Sequence, residues 1–151
     1  MANNLLTARA GEYFVAAELL RRGAYAEVLL EHNRDLDITA QDVSRSRSVS
    51  IQVITRRAGA WQCSIQEGRL TQPNDNETCF WVFVHLPVPN GTPEYFIAPE
   101  WWVRNDIYEA HQDYLARHGG KRAVNQESQH HAIQPGRVTG WKDRWDILRL
   151  F

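Results

Sequence analysis

Glu12, Asp37 and Gln52 have the residue types and spacing to do chemistry together. Asp37 and Gln52 fall on neighbouring strand-like segments joined by a polar turn, and Glu12 falls on the preceding helix-like segment. Mg²⁺ and Mn²⁺ take hard oxygen ligands (carboxylates, amide and backbone carbonyls, water). These three side chains, with the Val53 carbonyl, would make such a ligand set. A divalent cation held this way supports phosphodiester hydrolysis. That chemistry also wants a protein cation beside the metal, to position the attacking water and offset charge on the phosphate. Two residues beyond Gln52 on the same strand face, where that cation belongs, stands Ile54.

The elements follow from periodicity. Residues 5–22 read as a helix, with Ala8, Gly11, Val15, Ala16 and Leu19 on one apolar stripe. Thr7 is the expected N-cap, and Gly23 the expected terminator. Glu12 falls inside that stripe. There it must bind a metal, pair with an arginine or reach solvent at the helix end. Strands are expected at 25–30, 36–41 and 49–56. In the second, Asp35, Asp37 and Thr39 share the polar face. In the third, Ser50, Gln52, Ile54 and Arg56 share one face, and the polar faces of both strands are expected to look toward the helix carrying Glu12.

A polar loop at 66–77 precedes an apolar strand, 79–85, of central character. A Pro/Asn/Gly turn leads to a strand at 94–98. Pro99 opens a helix over 100–117 with the stripe Val103, Ile107, Ala110 and Tyr114, ended by Gly119-Gly120. Residues 120–137 read as irregular. Trp141, Trp145 and Leu148 suit a short closing helix or turn. The order implies one α/β domain over 1–151, a mixed sheet of about five strands flanked by helices.

Composition is that of a globular domain, 43% hydrophobic and 23% charged. The formal net charge of −1 argues mildly against a general nucleic-acid binder. Lys121 and Lys142 are the only lysines; every other cation is arginine, which suits phosphate. No apolar run reaches membrane-span length and no leader pattern is present, so a cytoplasmic protein without membrane attachment is expected. Cys63 and Cys79 match no metal or disulfide spacing and read as reduced core thiols. His130-His131 read as solvated loop residues. Of Trp101 and Trp102, one is expected to pack inside and the other to mark a partner surface. No P-loop, dinucleotide fingerprint or Ser-His-Asp order is present.

The segments GEYFVAAELLRRG (11–23), LDITAQD (36–42), IQVITRR (51–57) and GWKDRWDIL (140–148) together resemble the PD-(D/E)XK nuclease-like superfamily, which includes restriction endonucleases and Holliday-junction resolvases. The resemblance spans nearly the whole chain and implies a restriction endonuclease-like core. It also implies Asp37 as central metal ligand, Gln52 at the acidic-or-amide position, Glu12 as the helix acid, and Mg²⁺ or Mn²⁺ as cofactor. DNA would be the partner, with a homodimer plausible for cutting two strands. The superfamily's catalytic lysine maps onto Ile54. Arg56, two residues on along the same face, is the candidate substitute. Three readings follow: a metal-dependent DNA endonuclease with an altered site, a pseudonuclease binding nucleic acid or a protein partner, and a plain interaction module.

Overall fold

The computed structural model describes residues 4–30, 36–121 and 128–151. The chain enters as helix α1 (Asn4–Arg21), followed by strands β1 (Tyr25–Val28), β2 (Ile38–Gln41), β3 (Ser48–Arg56) and β4 (Trp61–Ser64). Then come β5 (Cys79–His85), β6 (Glu94–Pro99), helix α2 (Glu100–Arg117) and β7 (His130–Ile133), with 3₁₀ turns closing the C-terminus. Five strands form one sheet in the order β1-β2-β3-β5-β6. Only β3 and β5 run parallel; the other neighbours are antiparallel. No described helix is long and apolar enough to cross a membrane.

Each face of the sheet carries its own core. On one face Val15 and Leu19 of α1 pack on Ile38, Ile51, Val82 and Ile97, and Trp145 and Leu148 close the end. On the other, Val103 and Ile107 of α2 pack with Trp61, Trp81, Phe83 and Ile133. The result is an α/β sandwich with the mixed sheet between its helices.

Local chemistry explains the boundaries. Helix α1 ends in a Schellman motif: Ala24 N–H reaches the Leu19 carbonyl, Gly23 N–H reaches that of Leu20, and Gly23 adopts φ +101°. Thr7 lies inside α1 and is not its N-cap. Ala8 is exposed, because the buried stripe begins one turn later at Gly11. In α2, Val103 and Ile107 are buried while Ala110 and Tyr114 are only half-buried.

The part of the sheet system not expected from the sequence is the pair β4–β7. It joins residues 61–64 to 130–133 in antiparallel register. These segments are short and nearly seventy residues apart, so neither carries a pattern that names its partner. His130-His131 therefore sit in a strand, not a loop. Residues 122–127 of the expected irregular stretch lie outside the described residues, as does Asp35. Cys63 and Cys79 are unpaired and half-buried.

Candidate functional site

The site forms where β2 stops and β3 continues. The β2–β3 ladder ends at Ile38 opposite Ile51. Asp37, the residue just before β2, takes over the next rung with its side chain. Its N–H donates to the Ile51 carbonyl at 3.0 Å, and its Oδ2 accepts from the Val53 N–H at 2.7 Å. In a strand, the N–H and C=O of one residue point to the same side. The Val53 carbonyl therefore faces the same open edge as the Asp37 carboxylate, beyond the reach of β2.

Helix α1 brings Glu12 to this fork. Glu12 is buried, with 7% of its surface exposed, and is the one charged side chain in the core among the described residues. Gly11 permits the approach: a Cβ there would overlap the Thr55 hydroxyl on β3. Burial, a hydrogen bond with Asp37 and the Asp37 charge together push the Glu12 carboxyl up from 4.5 to about 7. Arg9, one turn earlier, opposes the shift through an ion pair with Glu12 Oε2 at 3.0 Å, but is outweighed. The Glu12 carboxyl thus keeps its proton up to near neutrality, with the Asp37 side chain against it and a guanidinium alongside.

Two hard oxygen ligands and an edge carbonyl suit a divalent cation that keeps several waters. A cation entering here would displace that proton and neutralise both carboxylates. The residues fit the group.

The remaining sequence-picked residues fall elsewhere. Val49, Ile51, Val53 and Thr55 form the face of β3 under α1. The polar face of β3 therefore looks away from α1, contrary to the expectation that it would face Glu12. The physical reason is that α1 needs the apolar side of β3 to bury Val15 and Leu19. Gln52 shares its register with Trp81, and Ile54 with Phe83; both strand positions belong to the α2 face. Gln52 is half-buried there and makes no side-chain hydrogen bond among the described residues. Ile54 packs against the Trp61–Trp81–Phe83 cluster.

Arg56 is engaged on that same side. Its guanidinium lies 4.0 Å from the Trp61 ring centroid and its Nη1 donates to the Gly59 carbonyl. It does not reach back to the carboxyl pair. The cation that the structure does bring to the pair is Arg9. Its signal in the sequence was the i, i+3 spacing to Glu12, the arginine partner that burial of Glu12 called for.

Beside the fork runs a groove of about 500 Å³ between the start of α1 (Asn4, Thr7, Ala8) and the free edge of β3 (Val53 to Arg57). It is open and lies one helical turn from Glu12.

The mixed sheet, with α1 on one face and α2 on the other, is a restriction endonuclease-like fold. Across 99% of this chain and 94% of the other, the structure is similar to a bacterial homing endonuclease, I-Ssp6803I, with TM-score 0.54 and 15% identity. The Holliday junction resolvase Hjc of Archaeoglobus fulgidus aligns over 88% of this chain and 95% of its own, with TM-score 0.42 and 12% identity. The mixed five-stranded sheet flanked by two helices matches the fold of the homing endonuclease. No protein-family model and no curated protein matches the sequence.

Proposed function

We propose that this chain is a nuclease-like protein that acts on DNA and holds Mg²⁺ or Mn²⁺ at Glu12, Asp37 and the Val53 carbonyl. The observation that carries this reading is the buried Glu12 carboxyl beside Asp37, whose Oδ2 is held by the Val53 N–H at the β2–β3 fork. A bound cation would polarise a phosphodiester and activate water. The chain's own residues then have separate tasks. Asp37 is oriented by the Val53 N–H, Glu12 is placed by the Gly11–Thr55 contact, and Arg9 balances charge. Gln52 would have to act through water or from the opposite face. With Ile54 in the apolar cluster, no side chain at that position manages a proton, so hydrolysis is expected to be slow. The test is Mn²⁺- or Mg²⁺-dependent cleavage of linear, single-stranded and branched DNA, abolished in Asp37→Ala. Absence of cleavage with either metal on all three would remove the hydrolytic reading.

The second reading is a pseudonuclease that retains the metal site and binds nucleic acid or a protein partner. It is favoured by the packing of Ile54 against Trp81 and Phe83. Under this reading wild type binds metal without cutting, and Ile54→Lys gains weak Mn²⁺-dependent cleavage. Cytoplasmic residence belongs to the same proposal. So does a homodimer, motivated by Leu6, Tyr13 and Leu20, which stand more than half exposed at seven-residue steps along α1. A monomeric mass in sedimentation velocity at micromolar concentration would exclude the dimer.

A further inference from the structure

A second cavity, of about 450 Å³, opens at the start of β3 and β5, beyond the β2–β3 hairpin from the carboxyl pair. Its walls include Arg47, Arg144, Arg149, Trp101, Trp141, Asn74 and Asn76. Glu77 is the one acid among the residues that line it. Arg47 is fixed in place: Nε donates to the Leu148 carbonyl at 2.8 Å and Nη2 to the Glu77 carbonyl at 3.2 Å. Arg149 is exposed and has no ion pair among the described residues. Burial first, and then the Arg149 charge, hold the Arg47 guanidinium below its ordinary value, against the pull of the Glu77 and Asp42 carboxylates. Arg47 and Arg149 line the same cavity, and neither guanidinium makes an ion pair among the described residues. By contrast, Arg144 is paired with Asp146 at 2.9 Å and lies over Trp141, 5.8 Å from the ring centroid.

The backbone adds a second sign. Arg45, Asn74, Asn76, Asp143 and Arg149 are the described non-glycine residues with positive φ, and three of them line this cavity. Asparagine takes that conformation readily, but arginine does so at a cost, which concentrates where structure serves a ligand.

We infer that this cavity binds one unpaired nucleotide of a single-stranded nucleic acid, its phosphate on Arg47 and Arg149 and its base against Trp101. Guanidinium forks match phosphate oxygens. An indole gives any base a stacking surface, and asparagine amides supply donors and acceptors for a base edge. The volume suits one nucleotide. The inference deepens the nucleic-acid reading above by naming an unpaired strand as the recognised form, and it does not depend on the metal site.

The test is fluorescence anisotropy of a short labelled oligodeoxyadenylate, with EDTA present so that the carboxyl pair holds no metal. Deoxyadenosine 5′-monophosphate should displace the oligonucleotide at concentrations where inorganic phosphate does not. Arg149→Ala, at an exposed position, should melt like wild type. It should bind about tenfold more weakly, with the salt slope reduced by about 0.7. Arg21→Ala, an exposed arginine on α1, should bind like wild type. A loss of binding in Arg21→Ala as large as in Arg149→Ala would make the effect one of general charge and overturn the inference. Undiminished binding by Arg149→Ala, equal competition by inorganic phosphate, or no binding by wild type would also overturn it. Failure of DNA cleavage in the metal assay bears on the metal site and leaves these outcomes untouched.

Discussion

Replacing Glu12 with glutamine isolates the retained proton. Glutamine keeps the shape and still reaches Asp37 but cannot ionise. In the wild type the Glu12 carboxyl moves from 4.5 to about 7 on folding, through burial first and then through Asp37. The raised value means the native state holds its proton more tightly than the unfolded chain. That stabilisation is present in full below about pH 4.5 and is lost as pH rises through about 7. Over the whole shift it amounts to about 3 kcal/mol, most of which is lost between about pH 5 and about pH 8.

Glu12→Gln lacks this term. Its stability should therefore gain on the wild type by about 2–3 kcal/mol between those two pH values, or about 5–10 °C in Tm for a chain of this size. Urea denaturation of both proteins at each pH, in EDTA, measures it. Adding millimolar Mn²⁺ at the higher pH should restore wild type and do little for Glu12→Gln, because the cation replaces the proton between two carboxylates. A stability difference between the two proteins that stays constant from pH 5 to pH 8 would refute the retained proton. Equal Mn²⁺ stabilisation of both would refute Glu12 as a metal ligand.

Asp37→Ala strips the Val53 N–H of its acceptor and should cost about 1–3 kcal/mol. It should also drop the Glu12 carboxyl toward its ordinary value, which carboxyl-carbon NMR titration would show. Gly11→Ala drives a methyl into Thr55 and should cost about 1–3 kcal/mol while weakening metal affinity, as α1 is pushed off β3; calorimetry with Mn²⁺ reads both effects. Arg56→Ala loses its stacking on Trp61 and should cost about 1–2 kcal/mol in denaturation, leaving Mn²⁺ affinity unchanged. A large loss of affinity in that variant would restore Arg56 as the substitute for lysine.

The residue pattern alone located the main elements and singled out Glu12 and Asp37, which the fold brings together. Apolar spacing of 3.6 and 2 residues located α1, α2 and the strands of the large sheet within a few residues, because each buries one face against a layer that the same periodicity creates. The position of Glu12 within the buried stripe of α1 signalled a partnered carboxylate before any partner was visible. The pairing of β4 with β7 was not legible, since two four-residue strands distant in the chain are joined only by the core they share. Nor was the orientation of β3: alternation says which residues share a face, but only packing decides which face receives α1. Tertiary structure chose the apolar one. That choice sends Gln52, Ile54 and Arg56 toward α2 and leaves Glu12, Asp37 and Arg9 together at the fork, with the Val53 backbone as the rung between sheet and site.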